Sequence, residues 1–332
     1  MKGGGYFHAG NGVSLYYSSE GPDDAIPVLL LHGWTCDQND WAFHIPFLLS
    51  LGFRVIGMDY RGHGHSSVSD NVTKFDPMTL AEDAVVLLAH LGIHGSSNGV
   101  DNNGNGNGNG NGNGNGNGNG NSNGQEAIVM GHSLGCLVAH LIAARHPTLV
   151  RGIVLVDSAY TLTPPVMDNV TQMFDEADPP SQAAVLATGF FGATGMYSPD
   201  HGTPAWLAPW HQRRTWAMQP RVVVETWKQM QAQLGESGAA YVKQVRREKA
   251  SGGRGEGDDN KKIPRLVTVA LESSVEIERE VGIDEKVDRV EMIPAGHYHH
   301  IIKPDLFNGV LKEWLVARQW VRQTNGAKTA EL

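Results

Sequence analysis

The sequence predicts an α/β protein: a mostly parallel sheet covered by helices on both sides and carrying a helical insertion. Three observations carry that expectation. Short apolar runs alternate with stretches of helical spacing. A Gly-x-Ser-x-Gly pentapeptide stands between one such run and one such stretch. A long tryptophan-rich segment interrupts the alternation in the second half of the chain.

The elements read in order as follows. Asn11-Gly12 lies between Tyr6-Phe7-His8 and Val13-Ser14-Leu15-Tyr16-Tyr17, a type I′ turn signal that opens the chain as a hairpin. Val28–Leu31, Arg54–Met58, Ala127–Met130, Ile153–Val156, Leu266–Ala270 and Val290–Ile293 are apolar enough to be strands buried on both faces. Pro46–Leu51, Leu80–Leu91 and Leu134–Arg145 have helical spacing, and Pro304–Arg322 reads as a long final helix.

Two stretches break the rhythm. The Asn-Gly tract from Asn102 to Gly124 offers almost nothing to bury, so it reads as a flexible coil. It leads into the N-terminal end of a strand, away from the C-terminal ends where ligands gather in such sheets. Expanding a loop there from about 5 to about 25 residues costs only ~1.4 kcal/mol of closure entropy. A neutral repeat expansion is the plainer reading and a tether the other. The second break, 158–260, follows the sixth strand, Ile153–Val156, and holds Trp206, Trp210, Trp216 and Trp227. It ends in Ser251–Asn260, a linker composition. It reads as a helical cap over a core made of 1–157 and 261–332. Its tryptophans either form the cap's own core or meet the substrate.

Composition narrows the function. With 332 residues and 40% hydrophobic content the chain can bury a large core. A net charge of −9 provides no basic footprint for nucleic acid or for an anionic membrane surface, so neither partner is expected. The chain shows no signal-peptide apolar core and no run near the ~18 residues of a membrane span. Cys36 and Cys136 alone do not make a disulfide framework. A cytoplasmic, reduced protein is the expectation.

The chemistry centres on Gly131-His132-Ser133-Leu134-Gly135, which follows the Ala127–Met130 run directly and opens a helix. That context makes it a nucleophile elbow, with glycines permitting the strained turn that exposes the Ser133 hydroxyl. Acyl transfer to serine also requires backbone donors for the oxyanion, each worth roughly 2.7–4 kcal/mol. Leu134 N–H is one expected donor. Trp34 N–H, in the His32-Gly33-Trp34 loop after Val28–Leu31, is the other. His32 orders that loop or serves as a second base. Gly33, His132, Trp206 and Trp210 are the expected substrate contacts. The two cysteines are expected to pack. The histidines of the Asp59–Ser66 segment, with His299 and His300, lack metal-ligand spacing with supporting carboxylates, so no metal is expected.

Leu31-His32-Gly33-Trp34, Asp59-Tyr60-Arg61-Gly62-His63-Gly64-His65-Ser66, Gly131–Gly135 and Ala295-Gly296-His297 occur in the order found in the α/β-hydrolase family, which the chain resembles over about 1–160 and 261–325. The resemblance implies the α/β-hydrolase fold, no cofactor, and a Ser–His–acid triad. It makes Asp59–Ser66 a structural loop. His297, in the Gly-His turn after the last strand, is the implied base, with His299 and His300 as alternatives. The family's commonest acid position follows the strand Leu266–Ala270 in a Gly-x-x-Asp pattern, and here that stretch reads Ala270-Leu271-Glu272-Ser273-Ser274. The second known position is the end of the preceding strand, where this chain has Asp157. Some dehalogenases and fungal lactonases keep the acid there. Asp157 is the first choice, Glu272 the runner-up, and a more distant carboxylate remains open. The implied reaction is hydrolysis of a carboxylic ester or lactone, with the lactone suggested by the acid position and the Trp-rich cap. Other Ser-triad reactions (C–C hydrolysis, perhydrolysis, cyanohydrin lysis) and a ligand-binding receptor on the same fold remain alternatives.

Overall fold

A computed structural model describes residues 3–95, 124–247 and 262–321. The expected coil at 102–124, except Gly124, and the linker at 251–260 lie outside them. Among the described residues the strands are β1 (Gly5–Gly10), β2 (Val13–Glu20), β3 (Pro27–Leu31), β4 (Arg54–Met58), β5 (Ser67–Val68), β6 (Ala127–His132), β7 (Val150–Val156), β8 (Arg265–Val269) and β9 (Arg289–Met292). They form one sheet in the order β1-β2-β4-β3-β6-β7-β8-β9, with the two-residue β5 on β2. The β1–β2 and β2–β4 pairs are antiparallel and every pair from β4 to β9 is parallel. Asn11 and Gly12 have φ of 51° and 78°, the left-handed values a type I′ hairpin requires.

The central strands are buried on both faces because both sets of alternate side chains are apolar. Leu29, Leu31, Val129, Ile153, Leu155, Val267 and Val269 face one core, under the helices Pro77–His90 and Leu134–Arg145. Val28, Leu30, Ile128, Met130, Val154, Val156 and Leu266 face the other, with Leu48 and with Phe307, Leu311 and Trp314 of the helix Pro304–Ala317. β9 departs from the expectation of a strand buried on both faces. It pairs only with β8, and its residues are half-buried or exposed, as befits an edge. The last helix also ends sooner than its spacing suggests. Gln319 takes a φ of 57° and Trp320 folds back, its ring edge-on to Trp314 at 5.2 Å.

Between β7 and β8 the chain forms the helices Pro164–Asp175, Ala183–Ala193, Leu207–Trp216, Pro220–Leu234 and Gly238–Arg247. Val222, Val223, Thr226, Trp227, Met230 and Leu234 make one buried face of the fourth, at helical spacing. That face lies on the side of the sheet where the parallel strands end. No described helix is long and apolar enough to cross a membrane.

Candidate active site

The turn after β6 carries Ser133. Its backbone sits at φ 53°, ψ −113°, a conformation costly for a residue with a side chain, and the helix Leu134–Arg145 starts at the next residue. The flanking glycines are forced by contact. A Cβ on Gly131 would overlap the Gly135 carbonyl, and one on Gly135 would overlap the carbonyl of Leu31. The strain is held by hydrogen bonds: Ser133 N–H donates to Val156 O at 2.9 Å, and Ala159 N–H donates to Ser133 O at 3.2 Å. Cys136 packs against the same turn, its thiol donating to Gly131 O at 3.1 Å, which bears out the packing role expected of it.

β7 runs into Asp157, which bends inward with a φ of 45°. Its N–H donates to Thr268 O at 2.9 Å, and its Oδ1 accepts from Ala270 N–H at 3.0 Å. Its Oδ2 lies 2.6 Å from His297 Nδ1, in the turn after β9. Burial pushes the Asp157 carboxyl up, but the hydrogen bond and charge of His297 outweigh it and hold the group below the usual carboxylate range. Glu272 sits elsewhere, exposed at the first turn of the helix Glu272–Val281. His299 is buried with Nε2 2.8 Å from Thr268 Oγ1, and His300 is buried between His132 and Trp41. Both therefore take part in packing.

His132 links the elbow to the His297 turn. Its Nε2 lies 3.1 Å from the His297 carbonyl and the two rings are 4.7 Å apart. Among the described residues no hydrogen bond joins Ser133 Oγ to His297; the connection runs one residue back, through His132. Full burial behind the elbow removes His132 from the expected substrate contacts.

The loop after β3 presses on the same spot. A Cβ on Gly33 would lie 2.9 Å from His132 Nδ1 and 3.3 Å from Ser133 Cβ, so only glycine permits this approach. His32 accepts from Tyr60 N–H at Nε2 (3.0 Å), which leaves Nδ1 to donate to Gly33 O (2.7 Å). Burial holds the ring far below its ordinary pKa, so it is a neutral brace for the loop. Trp34 sends its indole into the helical insertion, donating from Nε1 to Val223 O at 3.0 Å. There it meets the rings of Trp227 at 4.7 Å, Phe191 at 5.5 Å and Phe174 at 6.0 Å.

The remaining motif residues divide clearly. Asp59 accepts from Gln38 N–H and His65 N–H, each at 2.8 Å, and Arg61 grips Asp83 through two bonds of 2.7 Å, so Asp59–Ser66 is a tied loop. Trp206 is 45% exposed beside Phe43, and Trp210 lies at its edge under the Arg214 guanidinium, 3.7 Å from the ring. These two rings thus engage each other, Phe43 and Arg214. Trp227, not singled out from the sequence, is the insertion tryptophan on Trp34. The sequence also gave no sign of a buried polar cluster below the loop. Arg214 donates to Asp40 at 2.6 Å and Asp37 at 3.1 Å, and His211 lies 3.0 Å from Thr35 Oγ1 and next to Tyr197 and Tyr298.

Residues 28–310 match the family model described as "Alpha/beta hydrolase family". A non-heme chloroperoxidase of Streptomyces lividans is 38% identical over 86 residues, 26% of this chain and 30% of the relative. A bifunctional esterase/perhydrolase of Acinetobacter calcoaceticus is 37% identical over 93 residues, 28% of this chain and 33% of the relative. The matched segment therefore spans only about a third of either curated relative. The enol-lactonase of Burkholderia xenovorans LB400 superposes with a TM-score of 0.66 at 18% identity, covering 94% of this chain and 100% of that structure, which is a likeness of fold. Taken with the sheet order and the strained serine turn, the match over most of its length shows that the chain belongs to the alpha/beta hydrolase family.

Proposed function

We propose that this protein is a serine hydrolase that cleaves a carboxylic ester or lactone through an acyl-enzyme on Ser133. The observation that carries the reading is the 2.6 Å Asp157–His297 bond beside a serine held at φ 53°. Asp157 has no proton to give, so His297 Nδ1 is the donor and its Nε2 is free to act as base. In the first half-reaction His297 takes the Ser133 proton as Oγ attacks the acyl carbon. The tetrahedral oxyanion is received by Leu134 N–H, at a helix N-terminus, and by Trp34 N–H. Collapse expels the alcohol oxygen, which takes the proton from His297. Water then gives a proton to His297 and attacks the acyl group, releasing the acid and restoring Ser133. In a lactone the leaving alcohol stays tethered, and one open-chain hydroxy acid is the product.

A serine at the elbow argues for acyl transfer and against the carboxylate nucleophile of dehalogenation. The esterase/perhydrolase and lactonase activities printed in the names of the relatives are of the same acyl-transfer type. The buried aromatic cluster of Trp34, Phe174, Phe191 and Trp227 joins the Gly33 loop to the helical insertion and surrounds that side of the site with apolar packing. The test is fluorophosphonate labelling together with turnover of short p-nitrophenyl esters and of small and macrocyclic lactones, for the wild type and Ser133→Ala. The reading requires labelling at Ser133 and a loss on the order of 10⁶ in kcat in the variant. Retention of more than a few per cent of kcat overturns it. Labelling without turnover of any ester or lactone makes the protein a ligand-binding relative instead.

A further inference from the structure

We propose that Cys36 Sγ, Asp40 Oδ2 and His132 Nδ1 form a buried site for one thiophilic divalent metal ion, with zinc as the ion that fits the donor set. The loop after β3 supplies Cys36 and, from the short 3₁₀ turn Gln38–Trp41, Asp40; the elbow supplies His132. The three donor atoms all lie within 4.8 Å of one another and all three residues are buried. Cys36 and Asp40 are four residues apart in one loop, but His132 is remote in sequence, so spacing alone does not announce the group.

Two buried acceptors without hydrogen-bond partners point to a cation between them. His132 Nε2 faces the His297 carbonyl, which offers only lone pairs, so Nε2 carries the proton and Nδ1 presents a lone pair. Asp40 Oδ2 presents another, 4.0 Å away. Neither atom has a hydrogen-bond partner among the described residues, and both are fully buried. The Cys36 thiol faces the same carboxyl, and a cation bound by all three groups in place of the thiol proton would give both acceptors a partner. Charge points the same way. Arg214 alone faces Asp37 and Asp40, whereas a divalent ion with the Cys36 thiolate brings the cluster to neutrality.

The surroundings are those of a metal site. Ligating histidines donate their other N–H to a carbonyl or carboxylate, and ligating carboxylates are themselves hydrogen-bonded. His132 does the first at 3.1 Å, and Asp40 Oδ1 receives Arg214 at 2.6 Å. Cys36 Sγ has His211 Nε2 at 3.6 Å and the Tyr298 hydroxyl at 3.9 Å. One sulfur, one nitrogen and one oxygen, with a water as fourth ligand, suit tetrahedral zinc. Binding forms three metal–protein bonds and releases the Cys36 thiol proton to solvent. The ion would brace the elbow from behind, through the residue before Ser133.

The test is metal analysis of the full-length protein, followed by chelation and titration of the apo form with Co²⁺. The expected result is one ion per chain, a thiolate-to-cobalt charge-transfer band, release of one proton per ion, and a rise in the heat-unfolding midpoint on adding zinc. Cys36→Ser should lose the band and the midpoint shift, while Cys136→Ser should keep both. If Cys36→Ser does not fold, the wild-type band with Cys136→Ser as control decides, because the chain has 2 cysteines. A folded apo protein that takes up no cobalt overturns the proposal. So does a band that persists in Cys36→Ser, or a crystal grown in excess zinc that shows a water between Asp40 and His132.

Discussion

The adjacent ends of β7 and β8 meet the same turn in opposite ways. β7 ends in Asp157, bent inward, kept ionised by His297 and tied by the N–H of Ala270. β8 ends beside a neutral imidazole: Thr268 Oγ1 holds His299, which burial pushes down to about 4. Its own carboxylate, Glu272, opens a helix at the surface. One strand end thus presents a charge to the site and its neighbour supplies only hydrogen bonds. The lesson is that which carboxylate pairs with His297 depends on which is turned toward it, and that the neighbouring strand holds this turn through the N–H of Ala270.

The largest effect that could break the comparison is on turnover. Asp157→Asn should lower kcat by ~10⁴, as in a serine protease whose aspartate is amidated, because His297 then loses its tautomer. Glu272→Gln should cost less than about tenfold. The reverse outcome, read from steady-state kcat on a p-nitrophenyl ester, moves the acid to the end of β8.

The second prediction separates the two ends by pH. His44, His63 and His299 each have a folded-state pKa of about 4 against an ordinary 6.5, so between these values the unfolded chain binds the extra proton. Stability should therefore fall as pH drops from 6.5 toward 4, by about 2 kcal/mol per histidine at pH 5. The Asp157 carboxyl is held below 3.8, so its contribution is intact across that window and is lost only at lower pH. Urea-unfolding midpoints at pH 7.5, 6.5 and 5.5 check this. Burial pushes the Asp40, Asp59, Asp83 and Glu278 carboxyls up and opposes this fall, so NMR titration of the rings is the deciding check: imidazole signals that titrate near 6.5 in the folded protein would show that they are not held neutral.

A smaller effect tests the loop facing both strand ends. Gly33→Ala should cost roughly 10- to 100-fold in kcat/KM, because the new methyl must displace His132 or Ser133. Heat unfolding of the same variant tells misplacement from misfolding. The smallest effect is expected at the other end of the sheet. Gly95 N–H donates to Gln125 O at 3.2 Å just before β6, so the flanks of the Asn-Gly tract are already joined. Replacing 102–123 with a short turn should leave kcat/KM within about twofold. A large loss in a folded deletion variant would show that the tract bears on the catalytic side.

Much of this was legible because it depends on local rules. The continuous apolar runs Val28–Leu31 and Ala127–Met130 can be buried only by a sheet covered twice, and Asn11-Gly12 specifies its hairpin by backbone conformation. The Asp157–His297 pairing could be anticipated, since both residues follow strands at the same edge. What failed was long-range. Val290–Ile293 reads as a buried strand despite Glu291, yet the order of pairing puts β9 at the edge, where Arg289 and Glu291 pair with each other. Trp206 and Trp210 are as aromatic as Trp227, and only the packing of the helix Pro220–Leu234 on Trp34 tells them apart.

By itself, then, the sequence determined most of the elements and the strained serine turn. These rest on side-chain period and on glycine's freedom of φ, both of which act within a few residues. The tertiary structure alone decided which carboxylate faces His297, which tryptophan faces the site loop, and that Cys36, Asp40 and His132 meet. Those outcomes depend on distances between strands and loops remote in the chain, where burial and charge balance select among residues that look equivalent in sequence.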